Sequence, residues 1–383
     1  MAMIFVLCYA AINAIAVEIT AKAGFEFEIL GYQLVTYFCV LCLNIAALRA
    51  CTKGIHFSAL HKYFALYFLA FVFLSIKNDP EWITKDFLYL LFMVLPSTII
   101  FLGYMRHIIN NQTFFITPNL IALFVVCVML IILIPDSIAL RASLPHLNAN
   151  TYSTFGAYLI LGCIAFKKEN AGSFVIILPC TLLALVVLGY ANSVGITLIL
   201  IGLIAFLFLG YMNLQSRMYL CLSFFLLIGA FCFSRLNDQN ISLIDRATTL
   251  LTNPSSTLYD RLSVYKYAGE NFWSHFFVGS LYSLPDIHTA HNILIEIFLI
   301  TGFFGALIFC YFLFISFIRW LKALNSGNES LTFIALLYFF SFFESLFRGR
   351  VVYSVLLISL IAASFDSSFV KFLSLRQEKS QKF

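Results

Sequence analysis

Charge is the scarcest property of this sequence. Only 11% of its 383 residues are Asp, Glu, Lys or Arg, and 62% are hydrophobic. A water-soluble domain is typically about a quarter charged and about half apolar. A soluble fold is therefore excluded, because too little polar surface exists to cover one. Strand-like alternation is also missing. The apolar runs are continuous and recur at about 20 residues, the length a bilayer-spanning helix requires. Backbone groups in hydrocarbon must be satisfied internally, which limits spanning structures to helices and closed barrels, and continuous runs select helices.

Other absences narrow the chemistry. No G-x-x-x-x-G-K-[ST], G-x-S-x-G or H-E-x-x-H occurs, which removes the P-loop, the nucleophile elbow and the zincin helix. There is no D-x-D, so a metal-held nucleotide-sugar donor finds no support, and neither metal nor cofactor is expected. No external carboxylate pair suggests a glycosidase site. The ten cysteines fall within or at the edges of apolar runs, and the long polar loop has none. Cys39 and Cys42 stand three apart in one such run, with no second pair to complete a zinc site. The cysteines read as small buried apolar side chains, not as a disulfide framework. The first stretch, MAMIFVLCYAAINAIAVEIT, lacks a basic n-region and reads as a retained span. No internal repeat relates the two halves, which weakens a transporter built on repeats. Nothing implies a nucleic-acid partner.

What is present is a run of about twelve expected spans, roughly 2–17, 30–48, 60–76, 87–105, 119–135, 151–166, 173–191, 194–212, 217–234, 291–318, 331–347 and 351–370. The expected fold is an all-α polytopic membrane protein, one transmembrane domain over 1–383, with a long loop at 235–290 carrying short amphipathic helices. The run from Ser173 to Asn213 is too long for one helix and divides at the polar notch Ala191-Asn192-Ser193.

Lys and Arg are enriched in cytoplasmic loops. With the N-terminus in the cytoplasm, thirteen basic residues lie inside, among them Arg49, Lys62, Arg106, Lys167, Arg319 and Lys371. Six lie outside when the long loop is set apart: Lys22, Lys77, Lys85, Arg141, Arg348 and Arg350. Both termini are then cytoplasmic. The 235–290 loop, His291, Arg348 and Arg350 share the external face.

An ionisable group where loop meets membrane is a functional candidate by default. His291 opens the run HNILIEIFLITGFFGALIFCYFLF and is the candidate base, titrating near neutral pH; His288 is an alternative. The eleven-residue step from His291 to Gly302 is about three helical turns, placing both on one face. Gly302 and Gly305 suit close helix packing or a groove for lipid. Glu296 lies about 140° round the helix from His291 and lines the bundle or pairs elsewhere. Arg348 and Arg350 contravene the charge bias and form a candidate cradle for a diphosphate, because guanidinium forks match phosphate oxygens. The alternative for Arg348 is pairing with Glu344, one turn earlier. In the long loop, 260–277 suits an amphipathic helix with Leu262, Tyr265, Tyr267, Phe272 and Trp273 toward the membrane surface. Arg261 and Lys266 point elsewhere.

Arg261 in YDRLSVYKYAGENFWSHFFVG, then Val278-Gly279, then His291-Asn292, Glu296 and the G-x-x-G of Gly302 and Gly305 resemble the core of the O-antigen ligase/polymerase superfamily. The resemblance spans about 50 residues and includes the long loop before the motif. It implies a glycosyltransferase in the bacterial inner membrane whose site faces the periplasm. The substrate would be glycan on undecaprenyl diphosphate, with His291 as catalytic base, Arg261 as diphosphate-binding arginine, and a flippase and a chain-length regulator as partners. Many members carry a Ser-Arg where this chain reads Ser193-Val194; Arg348 or Arg350 is then the candidate for the missing charge. The polymerase, which moves a growing glycan to the next lipid-linked repeat unit, is favoured by the short chain, the absent Ser-Arg and the Phe-rich sequence. The alternatives are the ligase, which moves finished glycan to lipid A–core, and a carrier of an anionic lipid or solute. A carrier wants charges near the midplane in broken helices, whereas this sequence concentrates them at one face.

Overall fold

The computed structural model describes residues 38, 40–49, 58–78, 90–111, 116–132, 149–166, 172–191, 193–210, 265–270, 272–274, 276–277, 279, 292–348 and 354–380. Among these residues the secondary structure is entirely helical. The elements are α1 (Val40–Arg49), α2 (Ala59–Asn78), a π-helical turn (Leu90–Val94) leading into α3 (Leu95–Asn111), α4 (Ile116–Ile132), α5 (Ala149–Ala165), α6 (Gly172–Ala191) and α7 (Val194–Gly210). A short α8 over 265–270 precedes α9 (Ile293–Leu324), α10 (Glu329–Arg348), α11 (Val355–Ala363) and α12 (Ser367–Ser380). Two helices, α9 and Glu329–Leu346 of α10, are long and apolar enough to cross a membrane, and α11 with α12 makes a third if the bent pair is one span. The other apolar helices contribute shorter stretches of 10–17 residues, such as Ala59–Leu74 within α2 and Ile176–Leu188 within α6. The expected spans 2–17 and 217–234 lie outside the described residues.

The chain divides into two compact units. The first contains α4 to α7 and residues 327–340. At its centre is α5, buried at every position from Tyr152 to Phe166, as a helix apolar on all faces should be. Two glycines let neighbours approach it. A Cβ at Gly156 would stand 2.9 Å from the Ala184 carbonyl oxygen of α6. One at Gly162 would stand 2.6 Å from Leu120 Cδ2 of α4. The 173–213 run divides where the polar notch predicts: α6 ends at Ala191 and α7 starts at Val194. The Ser193 carbonyl, buried at that turn, accepts from Thr197 N at 3.1 Å and Thr197 Oγ1 at 2.9 Å.

The second unit contains α1, α2, α3, α8, α9, the end of α10, α11 and α12. Two of its apolar segments are broken rather than straight. The last expected span, 351–370, bends by 62° between α11 and α12. Asp366 makes the break. Its Oδ1 accepts from Ser368 N at 2.8 Å and Phe369 N at 3.3 Å, so it starts a new helix as an N-cap. The last carbonyls of α11 accept backbone amides from Ser364 and Phe365, and side chains add donors to the Leu360, Ser364 and Phe365 carbonyls. Arg319 Nη1 donates to Ser364 O at 2.8 Å, Ser58 Oγ to Phe365 O at 2.8 Å, and Trp320 Nε1 to Leu360 O at 3.2 Å.

The other break lies inside α9, at Gly302, where φ is 74° and ψ −174°. Only glycine reaches that region easily, and a side chain there costs on the order of 1–3 kcal/mol. The break compresses the next turn: a Cβ at Gly305 would overlap Thr301 Oγ1 and Cβ. Residues four apart in a regular helix hold their Cβ atoms about 5–6 Å apart. Gly305 is therefore a consequence of Gly302.

Candidate functional site

The candidate site starts from one asparagine. Asn292 adopts extended backbone, φ −146° and ψ 118°, and N-caps α9. Its Oδ1 accepts from Leu294 N at 2.9 Å and Ile295 N at 3.2 Å. Its Nδ2 donates to Leu346 O at 2.8 Å. One side chain thus fixes the start of α9 and ties it to the last turn of α10, which ends at Arg348. Below that tie, Ser345 Oγ and Ser354 Oγ lie 3.1 Å apart and are buried, closing the chain ends that flank residues 346–353. The residue after His291 and the residue two before Arg348 are therefore hydrogen-bonded neighbours.

His291, His288, Arg261 and Arg350 lie outside the described residues, as does the Arg348 side chain, although Arg348 ends α10. Because α9 starts at Ile293, the three-turn spacing counted from His291 begins one residue before the Asn292 cap. Glu296 is buried, 3% exposed, in the first turn of α9. Lys266 sits on the outside of α8, its side chain 76% exposed, 3.7 Å from Glu270 one turn on.

The loop segment is shorter in helix than 260–277. Its described helix covers 265–270, followed by a turn at 272–274. Its aromatic residues also divide differently. Tyr265 and Tyr267 pack toward α9 around Ala268 and Leu299, while Trp273 and Phe277 are 80% and 73% exposed. Phe272 stacks on Phe298 with ring centroids 5.4 Å apart, and Phe276 on Phe303 at 5.0 Å with planes 6° apart. Phe303 N, the first amide after the break, donates to Phe276 O at 2.9 Å. Gly279 is buried, and a Cβ there would run into the backbone of Leu299 and Ile300. The structure therefore brings together two pieces of the motif separated by more than twenty residues, the Gly279 turn and the Gly302 break.

No protein-family model matches the chain, and no curated protein matches it.

A second group of ionisable side chains surrounds the α11–α12 break. Asp366 is fully buried and its Oδ2 accepts from Arg106 Nε at 2.8 Å. Ser58 Oγ and His61 Nδ1 are 2.8 Å apart. The Arg319 guanidinium lies 5.5 Å from the centre of the Phe365 ring. Arg106, Arg319 and Asp366 are visible in the sequence only as charges near span ends. Nothing local says that residues 260 positions apart meet, and Ser58, His61 and Trp320 carry no signal at all. Arg106, Arg319 and Ser58 bond the carboxylate and carbonyls at the break, so the cluster reads as a staple rather than a second site.

Proposed function

We propose that this chain is an O-antigen (surface polysaccharide) polymerase of the bacterial inner membrane. It would have about twelve spans, cytoplasmic termini and the 235–290 loop on the periplasmic side. What supports the reading is the bond from Asn292 to Leu346. It joins the chain next to His291 to the chain next to Arg348, as a site made of one base and several guanidinium groups requires.

The chemistry follows from the residue types. The donor is a glycan on undecaprenyl diphosphate. The acceptor is a hydroxyl of the next lipid-linked repeat unit. The hydroxyl oxygen bonds to the anomeric carbon as the bond from that carbon to the diphosphate oxygen breaks. Electrons go to the diphosphate, whose charge Arg261, Arg348 and Arg350 stabilise. The proton goes to neutral His291, and such general-base help is typically worth about 10²–10⁴-fold. His288, Glu296 and Lys266 are accessory at most. Of these, Lys266 has the weakest claim, being solvent-exposed and paired on its own helix.

The test is His291→Ala in the native host, with the surface glycolipid run on a gel. Loss of the long-chain ladder with a surviving single-repeat band is the expected result. Bare core would make the chain a ligase. An unchanged ladder would remove His291 from catalysis.

A further inference from the structure

We infer that Gly279 and Gly302 are positioning residues that dock the loop onto α9. This deepens the transferase reading and rests on it for its functional part.

In a regular helix the Phe303 amide would donate to Leu299 O, four residues back. Here it donates to Phe276 O at 2.9 Å instead. The break at Gly302 thus frees one amide, and the loop supplies its acceptor. The same loop brings Gly279 against the Leu299 and Ile300 backbone, the turn whose pairing the break disturbs. The obstacle there is main chain, which cannot swing aside as a side chain can. Two stacked ring pairs, Phe272 on Phe298 and Phe276 on Phe303, hold the segment on either side of the break. Bending and docking are therefore one event. A straight α9 has no amide to offer the loop, and a loop with a Cβ at position 279 cannot reach the bend. The docked segment begins four residues after Arg261, and the helix it docks on begins two residues after His291. Docking fixes how far the start of α8, four residues after Arg261 in sequence, stands from the start of α9.

The experiment uses the full chain in host membranes. Phe276→Cys and Phe303→Cys are made together with Cys310→Ser, and a protease site is placed at 283–286. The main chains at 276 and 303 share a hydrogen bond, so their thiols are within disulfide reach. Oxidation with copper-phenanthroline should hold the two protease fragments together on a non-reducing gel. Adding Gly279→Ala should lower the early yield about tenfold or more, the range expected for a backbone clash at a docked site. Chain extension on the host's own lipid-linked repeat units should fall in Gly279→Ala. It should return after prolonged oxidation of the variant that carries Gly279→Ala with both introduced cysteines and Cys310→Ser, and vanish again with dithiothreitol. A merely misfolded protein would not be rescued reversibly by one bond. The proposal is overturned if the parent pair does not cross-link, if Gly279→Ala leaves the yield unchanged, or if the cross-linked form stays inactive while the parent is active. His291→Ala is run alongside: if it still extends chains, the transferase assignment fails while the cross-link yields still report on docking.

Discussion

Breaking the Arg106–Asp366 pair should destabilise the protein in an order that contact counting does not give. Asp366 has two tasks: it caps α12 through Oδ1 and holds Arg106 through Oδ2. Asp366→Ala loses the cap, costing about 1 kcal/mol. It also takes the carboxylate away from a guanidinium whose side chain is only 15% exposed, and removing one partner of a buried pair costs about 3–5 kcal/mol. Arg106→Ala strands the carboxylate, but two amide donors remain on it, so the cost falls toward the low end of that range. The double variant strands no charge. It loses the cap and some packing, about 1–2 kcal/mol. The double variant should therefore be more stable than Asp366→Ala alone by about 2–5 kcal/mol, whereas independent sites would add.

The assay is heating of detergent-solubilised protein, with the folded fraction read by size exclusion. Midpoints are compared rather than free energies, because a chain of this size need not unfold in two states. On the scaling of soluble domains each kcal/mol moves the midpoint by about 2–4 °C. The double variant should stand several degrees above Asp366→Ala, and Asp366→Asn, which keeps an acceptor for the cap, between that single variant and the parent. A double variant at or below Asp366→Ala would refute the reasoning, since the singles would then simply add.

Two further outcomes follow from the site. Asn292→Asp keeps the acceptor for Leu294 N and Ile295 N and loses the donor to Leu346 O, so chain extension should fall while the thermal midpoint stays within about 2–4 °C of the parent; equal loss of both would make the Leu346 bond structural rather than positional. Lys266→Ala removes an exposed pair worth about 0–1 kcal/mol and should leave both the midpoint and the glycan ladder unchanged, whereas a lost ladder would return Lys266 to the site.

What the sequence made legible depended on how local the cause was. Helical character followed from continuous apolar runs, and the α6–α7 turn from the two polar residues Asn192-Ser193 in a row. The start of α9 was readable to within two residues because the polar loop gives way to the apolar run at His291, although Asn292 as its N-cap was not read. The breaks were harder. Gly302 was visible as a glycine, but a glycine inside an apolar helix more often marks close packing than a bend. Its conformation depends on a loop more than twenty residues earlier. The bend at Asp366 was hidden because a lone carboxylate near a span end reads as an interfacial charge. The inward turn of Tyr265 and Tyr267 was missed for a similar reason: an amphipathic helix shows that it has an apolar face, not what that face meets.

The two breaks also bear on the carrier alternative. In a carrier, a broken span serves transport by turning freed amides and carbonyls toward a midplane cavity, where substrate or ion completes them. Among the described residues, several groups at each break are bonded by the protein itself. The Phe303 amide is taken by the Phe276 carbonyl, and the Ser364 and Phe365 carbonyls by Arg319 and Ser58, with Trp320 adding a second donor to the Leu360 carbonyl. The first break is closed by main chain, so it depends on glycines; the second is closed by side chains, so it depends on long donors and a capping carboxylate. Joints closed in this way hold segments in place without offering an ion its ligands. That is the behaviour wanted of a scaffold that presents a base and arginines at one face, and it argues against reading either break as a transport site.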